Sequence, residues 1–213
     1  MNPVDCLIIF SRYPEAGHTK TRLIPALGAE GAAQVQQQMT EHILARALQL
    51  QAQQPLAIEL HFAGGSLTEM QAWLGTAINL HPQSEGDLGI RLTTAFANAF
   101  QRGFRRVVTI GIDCPAIDRD LLQQAFAALE SAELVLGPAL DGGYYLIGLQ
   151  QPVPELFQDI AWGTGQVLKQ TLAHAQRSKL IVTQLDPLAD VDRPEDLPIW
   201  YQSQATNETN LAL

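Results

Sequence analysis

Val4-Asp5-Cys6-Leu7-Ile8-Ile9-Phe10 runs directly into Ser11-Arg12-Tyr13-Pro14-Glu15-Ala16-Gly17-His18-Thr19-Lys20-Thr21-Arg22-Leu23. The first segment is short, apolar and β-branched, the pattern of a strand buried on both faces. The second is a polar loop carrying Pro, Gly and cations, and it reaches Pro25. From Ala29 to about Gln54, Val35, Met39, Ile43, Ala47 and Leu50 recur at helical spacing, until Pro55 stops the run. Strand, cationic loop and long helix in that order open a βα unit. They set the expectation for everything downstream.

The same alternation continues. A strand is expected over residues 56–62, a short helix over 68–74 and a weak strand over 77–80. Residues 86–103 read as an amphipathic helix with Gly103 as its stop, and 106–112 as a strong strand. Asp118 is placed to cap a helix over 121–130. Strands at 134–136 and 144–148, a helix over 165–176, a strand at 180–183 and a helix from Pro194 to about Tyr201 complete the chain. Such alternation implies an α/β fold, a mainly parallel sheet flanked by helices on both faces. Residues 1–201 read as one domain, with a frayed polar tail over 202–213. Ligands of such sheets gather beyond the carboxyl ends of the strands.

Composition narrows the function classes. With 46% hydrophobic and 16% charged residues the chain is globular in character. A net charge of -9 repels a long polyanion, so no nucleic acid is expected as partner. No apolar stretch approaches the ~20 residues that cross a bilayer, so no membrane association is expected either. The start lacks the basic region of a leader, and Cys6 and Cys114 suggest a reducing compartment; together they give a cytoplasmic expectation. Nothing fixes the oligomeric state.

Against that acidic background, Arg12, Lys20 and Arg22 fall in one loop. Gly17 gives its backbone freedom, Lys20 offers a point charge and Arg22 a planar fork, with Thr21 between them. Phosphate binding is the functional reading, and a solvated surface loop the plain one. The loop is not a Walker A motif, nor is a Gly-x-Gly-x-x-Gly fingerprint present. Asp113, in Ile110-Gly111-Ile112-Asp113-Cys114-Pro115, ends a buried strand, where a carboxylate needs a partner; a hard cation fits, as does a turn cap. Asp190 and Asp192 alternate and so face opposite sides, leaving one to join Asp113 on a metal. Asp192 is preferred, although it also precedes Pro194 as an N-cap would.

Asp141-Gly142-Gly143 lies between two strands, where it makes a tight turn or admits a ligand whose hydroxyls Asp141 accepts. Asp87 and Arg91 stand one turn apart at a helix start. Trp162 packs in the core or walls an acceptor site, and Thr164 is expected to cap the next helix. The five histidines show no zinc-ligand spacing and Gly-x-Ser-x-Gly is absent, which argues against zinc and serine hydrolases.

Six segments in order carry a resemblance: Phe10-Ser11-Arg12-Tyr13-Pro14 to Leu23, Gly86-Asp87-Leu88-Gly89 to Leu92, Gly111 to Pro115, Asp141 to Tyr145, Trp162-Gly163-Thr164, and Asp190 to Leu197. They resemble the bacterial radical-SAM/selenodomain-associated transferase family, often labelled GT-A type glycosyltransferases, within the nucleotide-diphospho-sugar transferase superfamily. The resemblance implies a GT-A fold, the Lys20–Arg22 loop on nucleotide phosphates and residues 86–91 near base or ribose. It implies Mg2+ or Mn2+ on Asp113 and Asp192, although Asp113 stands in Asp-Cys-Pro and not in a full Asp-x-Asp. A nucleotide or nucleotide sugar and a small-molecule acceptor are the implied partners. Three functions follow. The first is glycosyl transfer from a nucleotide-diphospho-sugar, with Asp113 on the metal and Lys20 and Arg22 neutralising developing charge. The second is nucleotidylyl transfer from a nucleoside triphosphate with pyrophosphate release, the chemistry the cationic loop favours. The third is a nucleotide-binding module without catalysis.

Overall fold

The computed structural model describes residues 4–211, so the reading of residues 1–3 as no leader and the last two residues of the expected tail lie outside it. Strands β1 (Asp5–Arg12), β2 (Leu56–Ala63), β3 (Asn79–Pro82), β4 (Arg106–Ile110), β5 (Leu134–Pro138), β6 (Tyr144–Leu149) and β7 (Val182–Gln184) form one sheet, in the order β3-β2-β1-β4-β6-β5-β7. Every pairing is parallel except those of β6, which is antiparallel to β4 and β5. The reason lies in chain length: residues 139–143 are too few for the crossover that a parallel neighbour requires. The α/β architecture is thus the expected one, with its sheet mixed by a single hairpin.

The sheet is sandwiched. On one face Leu7, Ile9, Ile58 and Val108 pack under α1 (Ile24–Gln51), α4 (Arg119–Ala128) and Trp200 of α6 (Leu197–Leu211). On the other, Cys6, Ile8, Val107 and Leu136 pack under α3 (Leu88–Gln101) and α5 (Val167–Arg177). Successive residues of β1 therefore bury on opposite faces, which is why its sequence is continuously apolar. The predicted stripe of α1 is buried in full, from Val35 through Leu50. At roughly 1.5–3 kcal/mol for each large side chain, it is a principal anchor of that layer. The helix begins earlier than expected, at Ile24, because Gly28 (φ 72°, ψ 171°) lets two helical segments join across a kink. The last helix, α6, continues to Leu211, beyond its expected end near Tyr201. A short helix, α2 (Leu67–Leu74), opens with a capping box in which Ser66 and Glu69 bond each other's backbone amides. No helix among the described residues is long and apolar enough to cross a membrane.

Candidate functional site

Beyond the carboxyl ends of β1 and β4 the surface opens into three connected hollows, of about 530, 390 and 240 Å3. Asp113 is common to all three. The loop after β1 supplies the cations. Gly17 adopts φ 81° with open space where a Cβ would sit, so it serves the turn and not a close approach. The amide of Thr19 and its hydroxyl both donate to Glu15 O, tightening the turn that delivers Lys20. Lys20 takes the left-handed conformation (φ 47°, ψ 41°) ahead of a 3-10 turn over Thr21–Leu23.

That conformation sends the Lys20 side chain inward. It is only 5% exposed, and its Nζ donates to Asp113 Oδ1 and to the carbonyl of Val191, each at 2.6 Å. Arg22 donates to Asp192 Oδ2. The two expected phosphate cations are thus held by the two expected metal acids. Arg12 has no ion-pair partner among the described residues, and it lines both the 530 and the 390 Å3 hollows. Asp113 does not sit where the strand argument placed it. Strand β4 ends at Ile110, and the Asp113 side chain is 53% exposed; its partner in the protein is an ammonium. Ile112 and Cys114 on either side of it are buried. Burial and the neighbouring acids push the Cys114 thiol above its ordinary value, so it stays protonated and is no nucleophile.

The late acids divide as alternation requires. The amide of Val191 donates to Asp113 O at 2.8 Å, and its carbonyl accepts Lys20, which fixes this residue against the Asp113 loop. Asp192 then faces the cationic 390 Å3 hollow, and Asp190 the 240 Å3 hollow. Asp192 does not cap the following turn; Asp196 does, accepting from the amides of Asp192 and Arg193. Burial, reinforced by the carboxylates of Asp141 and Asp113, raises the Asp190 carboxyl above the ordinary aspartate value. Asp113, Asp141 and Asp190 line one hollow and offer the oxygen ligands that a hard divalent cation prefers, but their oxygens are not gathered within chelating distance of one another. In sequence, alternation leaves Asp190 and Asp192 as alternatives with Asp192 preferred; which hollow each of them lines is set by the fold.

Asp141-Gly142-Gly143 is a turn, and Asp141 Oδ1 accepts the Gly143 amide at 2.7 Å. Gly142 (φ 90°) is required because a Cβ there would lie 2.5 Å from Gly165 O; the close approach is to the chain's own backbone and not to a ligand. Asp141 and Gly143 nevertheless line the 240 Å3 hollow with Trp162, which meets Tyr144 edge to face. Thr164 bonds Ala161 O and the Gln166 amide, one turn ahead of α5, and so does not cap the helix itself. At the start of α3, Asp87 accepts the Ile90 amide as N-cap. Arg91 braces Gly86 O and Gln83 Oε1, and both residues line the 530 Å3 hollow. Gln36 of α1 holds Ser11 Oγ and Arg12 O beneath it.

One grouping brings two histidines together although their spacing in sequence is not that of zinc ligands. Glu59, His61 and His81 present donor atoms all within 4.8 Å of one another, near enough to chelate a divalent ion. The parallel register of β2 and β3 sets His61 directly beside His81, which residue spacing alone does not reveal.

The profile of the bacterial family described as "Uncharacterized protein conserved in bacteria (DUF2064)" matches residues 38–164, more than half of the chain. The chain belongs to this family. A crystal structure of a "putative nucleotide-diphospho-sugar transferase" from Desulfovibrio desulfuricans G20 is similar to this DUF2064 chain over 94% of its length and 87% of the other's, with 34% identity and a TM-score of 0.85. The 4-diphosphocytidyl-2C-methyl-D-erythritol synthase of Anaerococcus prevotii shares the fold at 10% identity, 96% coverage of both chains and a TM-score of 0.63. Rv0371c of Mycobacterium tuberculosis H37Rv, in complex with manganese, shares it at 18% identity, covering 91% of this chain and 96% of the other, with a TM-score of 0.58. No curated protein matches. The DUF2064 chain thus has the GT-A-like architecture of the nucleotide-diphospho-sugar and nucleotidyl transferase superfamily.

Proposed function

We propose that this chain is a divalent-metal-dependent nucleotidylyltransferase. An oxygen of a phosphorylated small molecule attacks the α-phosphorus of a nucleoside triphosphate, the bond to the β-phosphate oxygen breaks, and pyrophosphate leaves. The observation that carries this reading is the division of the site around Asp113. A cationic hollow bearing Arg12, Lys20 and Arg22 meets an acidic, aromatic-walled hollow bearing Asp141, Asp190 and Trp162, and Asp113 is shared between them. In-line displacement requires separate places for the attacking and leaving groups. A leaving group that parts from its nucleoside suits a cationic hollow of its own, beside the larger hollow that takes base and ribose.

Asp113, with Asp190 or Asp192, would hold Mg2+ or Mn2+, which supplies Lewis-acid polarisation of the phosphate oxygens. Lys20 and Arg22, released from Asp113 and Asp192 as the anion arrives, neutralise charge developing on the departing pyrophosphate, and Arg12 adds a third cation. Arg91 and Gln83 position the base-side wall, and Asp87 fixes the helix start beneath it. Asp141, Gly142 and Gly143 shape the acceptor side, with Trp162 as its apolar wall.

Glycosyl transfer is the second reading, favoured by the name of the 34%-identical Desulfovibrio relative. The two separate in one assay. The protein is incubated with Mg2+, each nucleoside triphosphate and a panel of sugar phosphates, and pyrophosphate is measured. Acceptor-dependent pyrophosphate is the expected result. Its absence, together with release of nucleoside diphosphate from a nucleotide sugar, establishes glycosyl transfer instead.

A further inference from the structure

None of Glu59, His61 and His81 lines the three Asp113 hollows, and the proposed transfer uses none of them. Glu59 and His61 are buried mid-strand on β2, and His81 sits on the edge strand β3, 40% exposed at its side chain. One oxygen, Glu59 Oε2, lies 3.1 Å from His61 Nε2 and 3.9 Å from His81 Nε2. Phe10 stacks on the His61 ring at 5.7 Å, and the His61 and His81 rings stand 5.1 Å apart, so the imidazoles are held in place by packing. We propose that Glu59, His61 and His81 form a metal site of their own, for a transition ion of the Zn2+ class, at the β2–β3 edge of the sheet.

Two imidazole nitrogens and a carboxylate oxygen are a donor set for Zn2+ and its neighbours, whereas Mg2+ and Ca2+ demand oxygen throughout. With three ligands from the chain, a fourth position stays open to water on the side that His81 exposes, which is also the entry path.

Arg102, at the end of α3, is the resident cation: its Nη2 lies 2.8 Å from Glu59 Oε2. It is also a movable one. Its side chain is 40% exposed, and its guanidinium carbon already stands 5.6 Å from the Phe104 ring, over which it can settle when a metal takes Glu59. The Cys6 thiol is hydrogen-bonded to Glu59 and is not among the three converging donors. A metal here clasps the edge strand to its neighbour. The consequence reaches further, because Gln83 at the end of β3 donates to His61 O at 2.9 Å and accepts from Arg91 in the wall of the 530 Å3 hollow.

The test is calorimetric titration of the chelator-treated protein with Zn2+, in excess Mg2+ so that the carboxylates of the proposed transfer site are occupied, repeated with Co2+ to read the visible ligand-field band of nitrogen coordination. The expected result is one Zn2+ per chain. Glu59→Gln and His81→Ala each weaken it by about tenfold or more, and Arg102→Ala strengthens it. Asp113→Asn leaves it unchanged. Since His81 is at an exposed edge, its variant tests the site without disturbing the core. Absence of Zn2+ binding in both the wild type and Arg102→Ala overturns the proposal, as does binding that survives His81→Ala or is lost with Asp113→Asn.

Discussion

Lys20 shows how one residue's backbone decides what its side chain can do. In the left-handed region it directs its ammonium inward to Asp113 and Val191 O, 93 and 171 residues away in sequence. Lys20→Met is expected to lower kcat by about 10²–10³-fold, the scale of losing a preorganised charge contact in the transition state. The same change frees Asp113, so Mg2+ should bind the nucleotide-free variant more tightly than the wild type, measured by calorimetry. Asp190 gives a prediction in pH. A carboxyl whose folded-state value is raised binds its proton more tightly in the folded chain, so its ionisation subtracts stability as pH rises from the unfolded value of 3.8 through the folded one. Without metal, Asp190→Asn should therefore melt at a higher temperature than the wild type at pH 7, and the difference should vanish below pH 3.8. Equal melting at pH 7 would mean that neither burial nor the carboxylates of Asp141 and Asp113 disfavour its ionisation.

Elements were legible in sequence wherever burial imposes a period. Both-face burial made β1 and β4 continuous apolar runs, and one-face burial made α1 a stripe. Caps were legible where a single side chain does the work, as Asp118 does in accepting the Leu121 amide for α4. What stayed hidden depends on partners distant in the chain. Asp192 looked like a cap because Pro194 follows, yet Asp196 bonds the free amides from within the next turn and leaves Asp192 to Arg22. Sequence left the Asp141-Gly142-Gly143 stretch equally a tight turn or a ligand contact, and nothing in it says that Gly165 packs against Gly142. Gly142→Ala should accordingly cost about 1–3 kcal/mol in backbone strain, with the clash against Gly165 O adding to it, as read by urea denaturation. A variant as stable as the wild type would contradict this packing.

At the scale of the whole molecule, the fold class was readable, because strand–helix alternation implies such a sheet, and the strand ends beyond which hollows open were readable with it. The pairing of strands was not readable, and with it went the Glu59–His61–His81 grouping, which exists only through the register of β2 with β3. The proposed function also needs a place where a chain of net charge -9 would receive a polyphosphate. Three of its thirteen cations, Arg12, Lys20 and Arg22, converge at the end of β1 and the loop beyond it, and two of them are held in reserve by the acids that would otherwise repel the proposed ligand. That arrangement makes anion and metal binding interdependent at Asp113. The most direct test is the thermal shift produced by a nucleoside triphosphate, with and without Mg2+, in the wild type and in Asp113→Asn. The expected result is a large Mg2+-dependent stabilisation of the wild type that Asp113→Asn abolishes. An equal Mg2+-dependent shift in both proteins would contradict the assignment of Asp113 as the centre of the site.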